Sequence, residues 1–276
     1  MQRRTEGALH ERTGWTLHRD VALRLKSLSV DELGRPFGEL PEADTFKIRL
    51  AGSSQVRAGA GLLVQHRYAE KGYRTSATPA GASVYTFAAY DEGHLAGTLS
   101  VRLDSEDGLA ADEIYREEID ALRRLERRIC EFTRLAVDPS GVSRPVLAGL
   151  FHTVYLFASK VQEFDCVVIE VNPRHVGYYR RALGFVILGP ERTNPRVNAP
   201  AVLMGMPFDE IASRLHRSAS AAERAAKTGS PYLYAFSPAE EAGILGRLRA
   251  LYSDLSVTHE LVPPLLAGEQ LHQRIK

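Results

Sequence analysis

A chain of 276 residues with 44% hydrophobic content can form one large domain, or a domain with an appendage, around a sizeable core. Its formal net charge of +1 excludes a molecule built as a whole to bind nucleic acid, so any basic patch has to be argued locally. No segment approaches the ~18 consecutive apolar residues of a membrane helix, and no apolar stretch follows Arg3 and Arg4 as a secretory leader requires; a soluble, cytoplasmic protein is expected. Cys130 and Cys166 fall in apparent core strands and lack metal-ligand spacing, so buried free thiols are expected and no metal.

Residues 1–44 are polar and broken by Gly34, Pro36, Gly38 and Pro41; they read as an N-terminal arm, with a short helix over 19–28. A strand over 46–51 and a helix over 58–71 follow, the helix grouping Leu62, Leu63, His66 and Ala69 on one face and Arg67, Glu70 and Lys71 on the polar side. Residues 83–90 and 94–103 form a hairpin in which Gly93 supplies the positive φ. Alternation in its second strand turns Leu95, Gly97, Leu99, Val101 and Leu103 toward the core. A helix over 111–128 ends in Arg123, Arg124, Arg127 and Arg128, which either complement the helix dipole or offer a landing patch to an acidic partner.

The pattern predicts a strand over 129–137, with Glu131, Thr133, Leu135 and Val137 on one face and Phe132, Arg134 and Ala136 on the other. Glu131 stands among apolar neighbours, where an ionised carboxylate is costly unless paired. It is either half of a buried ion pair or a base facing a cleft, its pKa tuned by burial. The turn over 138–144 opens straight into a helix, so Ser140, Gly141, Ser143 and Arg144 are candidates to hold a phosphate at the unsatisfied amides of the helix start. That helix, running to 162, buries Leu147, Leu150, Phe151, Val154, Ala158 and Val161.

A strand over 164–171 carries the run Cys-Val-Val-Ile expected of burial on both faces. Glu170 lies near its end, Asn172-Pro173 breaks it, and His175 opens a short helix that Gly184 closes. Strands over 185–188 and 202–206 flank a polar excursion over 189–200. Beyond Pro207 come an Ala- and Arg-rich helix over 209–227 and a capping box, Ser237 to Glu240, opening a helix that buries Ile244, Leu248, Leu251 and Leu255. The organisation expected is therefore an α/β body over 45–207 with a helical appendage over 208–276.

Two signatures go further. Asn172-Pro-Arg-His-Val-Gly-Tyr-Tyr-Arg-Arg-Ala-Leu-Gly-Phe resembles the Asn…Tyr…Gly-Phe motif of the GNAT acyltransferase superfamily, and the order of elements is similar to that fold. The resemblance implies a mixed, mostly antiparallel sheet flanked by helices, in which one strand splays from its neighbour and an acyl-thioester arm lies in the gap. The usual Gln/Arg-x-x-Gly-x-Gly/Ala pyrophosphate loop is absent, since Pro145, Val146, Leu147 and Ala148 follow Arg144; the Tyr179-to-Gly184 spacing is one residue long. Glu131-Phe-Thr-Arg134-Leu-Ala-Val resembles the Glu-x-x-Arg-Phe/Leu-Ala-Val strand of acyl-homoserine-lactone synthases and of the long-chain N-acyl amino acid synthases. The segment from His66 to Tyr73 is similar to the Arg-x-x-Val-Phe/Tyr…Gly-Trp/Tyr/Phe segment of both.

The combined pattern stands nearer the N-acyl amino acid synthases. It implies transfer of a long acyl chain from acyl carrier protein to the α-amine of an amino acid. No cofactor is held tightly; the donor is the acyl-phosphopantetheine of the carrier, which presents one phosphate and no nucleotide. On this resemblance Glu131 is the base, Tyr179 protonates the leaving thiolate, and an oxyanion is held by amides near Leu135–Val137, where the strand bulges. Arg134 or Arg67 pairs with the acceptor carboxylate, Glu170, Asn172 and His175 line the acceptor side, and Arg123, Arg124, Arg127 and Arg128 meet the acidic carrier. The alternatives are an acyl-homoserine-lactone synthase, a CoA-dependent acetyltransferase and a non-catalytic acyl-binding module.

Overall fold

The computed structural model describes residues 14–17, 46–52, 54–73, 83–91, 93–138, 144–220 and 230–261. Their strands are β1 (Gly14–Leu17), β2 (Phe46–Leu50), β3 (Val84–Asp91), β4 (His94–Leu103), β5 (Ile129–Val137), β6 (Cys166–Val171), β7 (Val186–Ile187), β8 (Arg192–Asn194) and β9 (Ala199–Pro207). The sheet runs β1-β2-β3-β4-β5-β6-β9-β7, with β8 paired to β9. Every pairing is antiparallel except β5 with β6. The helices are α1 (Ser54–Ala69), α2 (Asp112–Arg124), α3 (Arg144–Leu156), α4 (Pro173–Tyr178), α5 (Phe208–Ser220) and α6 (Pro238–Leu261). This is the mixed, mostly antiparallel α/β architecture expected. The helix predicted over 19–28 lies outside the described residues, while the arm contributes β1 to the sheet edge.

The pleat sorts the core. Phe87, Val101, Phe132, Val167 and Ile169 face α3, whereas Ile129, Cys166 and Val168 face Tyr115 and Ile119 of α2. Two local expectations are corrected. Between β3 and β4 the register shifts at Ala89/Tyr90, so that Ala96 is an extra residue in β4. A one-residue slip reverses facing, and Leu95 packs with Ala51, Val56 and Ala88 instead of joining Leu99 and Val101. In α1 the buried stripe is Val56, Ala60 and Val64, and Leu62 is 65% exposed. Small Gly59 and Ala60 let this helix lie close on β4, a demand of tertiary packing that the bulkier leucines on another face concealed.

The C-terminal helices share the main core through Phe236, Ile244 and Leu248. Buried His152 of α3 stacks on Phe236 at 4.6 Å, and its Nδ1 accepts the Phe236 amide at 3.1 Å. That contact explains why α3 is buried nearly all round and not along a single stripe. Ser237 and Glu240 form the predicted capping box at α6.

The feature that matters most lies at the sheet's centre. β5 and β6 pair only across Ile129–Cys166, Cys130–Val167 and Glu131–Val168. From Phe132 onward β5 has no partner in β6, although both strands continue, so their carboxyl ends part.

Candidate active site

The parted strands open a cavity of about 730 Å³, within the range of small-ligand sites. Tyr68, Arg134, Glu170, Tyr179, Asn194 and Arg196 are among its walls. Tyr68 arrives by helical spacing, one turn beyond Val56, Ala60 and Val64 on the buried stripe of α1.

β5 bulges where it leaves β6. Thr133 pairs with Ser100 and Ala136 with Thr98, so Arg134 and Leu135 together oppose the single Leu99. Arg134 takes φ 56°, and a left-handed residue of this kind marks a bulge whose backbone leaves the ladder. The oxyanion site was expected at Leu135–Val137; the bulge lies at Arg134–Leu135. Beyond the bulge, Gly97 pairs with Val137, and a Cβ there would lie 3.4 Å from the Ala136 carbonyl, in ordinary contact.

Glu131 departs from its expectation. It is 1% exposed and does not line the cavity. One carboxylate oxygen accepts the amides of Ala110 at 2.7 Å and Ala111 at 3.2 Å, at the N-terminus of α2. It is thus neither a simple ion pair nor a carboxyl facing the cleft, but an acceptor that caps a helix from across the sheet. Burial pushes its pKa up, while those amides and the charges of Arg196 and Arg102 oppose the rise.

Glu170 occupies the position expected of the base. It lines the cavity, one strand over from Glu131, and its side chain is 10% exposed. Burial, then the nearby Glu131 carboxylate, lift its pKa to about 7, with Arg196 pulling the other way. Arg196 donates to Glu170, to the Ala110 carbonyl and, at 3.0 Å, to Glu113, and the Asn194 amide reaches both Glu170 oxygens at 3.3 Å. Asn194 and Arg196 sit in the polar excursion and were not expected at the site. No periodicity marks them; only a polar stretch between two strands hints at a role.

Asn172 caps α4, accepting the Arg174 amide at 3.3 Å, and its own amide donates to the Tyr73 hydroxyl at 3.0 Å. Tyr73 also receives Arg174 at 3.0 Å and meets Tyr68 edge-on, closing one side of the site. His175 lies at the exposed rim, where burial first and then Arg174 and Lys71 depress its pKa. The extra residue between Tyr179 and Gly184 is absorbed by a π turn over Tyr179–Leu183, and Gly184 ends it at φ 88°. Tyr179 keeps its place on the cavity wall, packed edge-on against Tyr178 and Phe185, with burial pushing its hydroxyl pKa well up. Arg67 lines the rim and pairs with Glu70. Half-buried Arg134 lies near Tyr68, and burial lowers its pKa. Phe151 reaches the cavity, while Tyr155 and Phe157 belong to the core.

The chain matches the model of the N-acyl amino acid synthase FeeM family over residues 59–207, more than half its length. It belongs to that family. Membership makes the chain an N-acyltransferase with a GNAT-like fold. Among solved structures it is similar to FeeM, an N-acyl amino acid synthase from uncultured soil microbes, at 28% identity and a TM-score of 0.57, covering 61% of this chain and 94% of that one. The acyl-homoserine-lactone synthase LasI matches at 12% identity and a TM-score of 0.46, over 59% of this chain and 90% of its own. A GNAT-family acetyltransferase from Streptococcus pneumoniae matches at 14% and 0.40, over 58% and 98%. Neither of these two adds to the assignment. No curated protein matches the sequence.

The remaining expected site residues divide. Ser140, Gly141 and Ser143 lie outside the described residues, and Arg144 begins α3 at the surface. The four arginines of the cluster have different surroundings. Arg123 is held by Asp104, Asp112 and Asp120 at 2.7–2.8 Å, so its charge is spent within the fold. Arg124, Arg127 and Arg128 are exposed, Arg128 lying over the Phe164 ring. They stand at the amino end of β5, on the order of 20 Å along the strand from the bulge, whereas the gap opens at the carboxyl end. Arg67, Lys71 and Arg174 stand among the cations that border the cavity, with Arg102, Arg134 and Arg196 also on its walls. Among the described residues no group of His, Cys, Asp and Glu could hold a metal, and no helix is long and apolar enough to cross a membrane.

Proposed function

We propose that this member transfers a long-chain acyl group from the phosphopantetheine thioester of an acyl carrier protein to the α-amine of an amino acid. The observation that carries this reading is the parting of β5 from β6 with Glu170 at the lip. A thioester threaded into that gap would meet a bulged backbone on one side and a carboxylate poised near neutrality on the other.

The acceptor ammonium gives one proton to Glu170, and the neutral amine attacks the thioester carbonyl. The C–N bond forms, and the oxyanion is held by backbone amides of the bulged segment at Arg134–Leu135. As the C–S bond breaks, the leaving thiolate takes a proton from the Tyr179 hydroxyl, the second proton of the attacking nitrogen returns to the Tyr179 oxygen, and Glu170 releases its proton to solvent. The base is thus assigned to Glu170, with Glu131 as a positioning residue that holds α2 and raises the pKa of its neighbour. Residues 45–207 are assigned as the acyltransferase body and 208–276 as its appendage, of which Phe236 packs on His152 of α3. The carrier as donor is supported by the missing pyrophosphate loop and by the cations around the mouth. Arg144, with Ser140, Gly141 and Ser143, is assigned to the single phosphate of the arm.

Purified protein is to be given each amino acid with long-chain acyl carrier protein, long-chain acyl-CoA or acetyl-CoA, with and without S-adenosylmethionine, and the products weighed by mass spectrometry. An N-acyl amino acid from the carrier donor alone is the expected result. Preference for acetyl-CoA, a lactone product requiring S-adenosylmethionine, or bound lipid without turnover would each replace this reading with one of its rivals.

A further inference from the structure

An amino acid carries its amine and its carboxylate on one Cα, so their polar atoms lie only about 3 Å apart. The cation that reads the carboxylate must therefore lie within about 8 Å of the base that receives the amine, and a pair already in contact meets that demand. Among the described residues the cation in contact with Glu170 is Arg196. Arg67 is committed to Glu70 on the rim, and Arg134 acts on Tyr68.

We infer that Arg196 selects the acceptor by its α-carboxylate, the Glu170–Arg196 pair receiving a zwitterion with ammonium on Glu170 and carboxylate on Arg196. This rests on the acyl-transfer reading for the class of acceptor.

The guanidinium is pre-oriented. One nitrogen is pinned to the Ala110 carbonyl, and the Arg196 backbone amide donates to Asn194 Oδ1 at 2.9 Å. It is not needed as a staple for the excursion. The Tyr115 hydroxyl lies 2.9 Å from the Pro190 carbonyl and 2.6 Å from that of Ala201, and Arg192 pairs with Glu118 at 2.7 Å. A quarter of the Arg196 side chain is exposed, and the residue lines the cavity. Arginine has five N–H donors in a fixed fork, and its Nε makes no bond among the described residues. Glu113, 46% exposed, occupies another donor and can swing into solvent when a carboxylate arrives. The incoming ammonium restores the neutrality that this exchange would otherwise disturb at Glu170.

The test is calorimetric binding at pH 8, without any acyl donor, of the twenty common L-amino acids singly, each against its decarboxylated amine. Wild type should bind its acceptor about 10- to 100-fold more tightly than the amine, the range of a charge-assisted hydrogen-bonded pair. In Arg196→Met that preference should fall below about threefold, with amine binding little changed, and Arg196→Lys should recover part of it, since the charge returns without the fork. Thermal melts of both variants check the fold. The inference is overturned if wild type binds no amino acid or binds the amine equally well, if Arg196→Met keeps the preference, or if Arg134→Met loses it instead. Amino-acid selection by Arg196 together with failed acyl transfer would sink the donor reading and leave this one standing.

Discussion

Glu131 and Glu170 belong to adjacent strands, both lie on the α2 side of the sheet by the pleat, and both are acidic residues in otherwise apolar runs. They differ in what lies beyond them. Glu131 sits where β5 and β6 are still paired, and the amino end of α2 closes over it. Glu170 sits two residues farther along β6 than the last paired position, where the cavity opens between the strands. The same side chain caps a helix in one place and, by the assignment proposed above, serves as a base in the other. Strand pairing, not residue type, separates the roles.

The largest expected effect comes from Glu170→Gln, which should lower kcat by about 10²–10⁴-fold, the usual worth of a general base. A stability measurement sharpens the point. The folded-state pKa near 7 is above the 4.5 of an unperturbed glutamate, so folding favours the protonated form. That contribution is complete below the unfolded value and disappears as pH climbs through about 7. Removing the charge should therefore raise unfolding free energy at pH 8 relative to pH 5, by roughly 3 kcal/mol at most, less what the lost Arg196 contact costs.

Glu131→Gln should act the other way round, costing about 1–3 kcal/mol of stability because two buried amides lose a charged acceptor. Its effect on kcat should stay under about tenfold. Loss of catalysis with unchanged stability would exchange the two roles. In wild type, kcat/KM should rise with pH through an apparent value near 7. In Glu131→Gln that midpoint should move down, because the neighbouring negative charge is gone.

The smallest effects concern the two ends of β5. Lys71→Glu at the cavity rim should raise the carrier-protein KM about three- to tenfold at low salt, and less as salt screens it. The double reversal Arg124→Glu and Arg127→Glu, at the far end of the strand, should leave it within about twofold. A larger loss from the double variant would bring the carrier back to the arginine cluster.

Much of the fold was legible. The bounds of β5, the capping box at Ser237, the closing Gly184 and the hairpin at Gly93 are local, and local chemistry decides them. The Glu131-x-x-Arg134 strand and the Asn172 turn pointed to the right pair of strand ends. Less legible were Asn194 and Arg196, and the facing of Leu62 and Leu95. A bulge slips a register without any periodic signal, and a helix lies where small residues let it approach.

By itself the sequence determined the elements, their order and the family, because hydrophobic period, turn residues and caps act over a few neighbours. Tertiary structure alone decided which carboxylate meets the cavity and which cation meets that carboxylate. Those contacts join residues 110, 131, 170 and 196, brought together by where two strands stop pairing, a choice made by the packing of the whole sheet and by no segment of it.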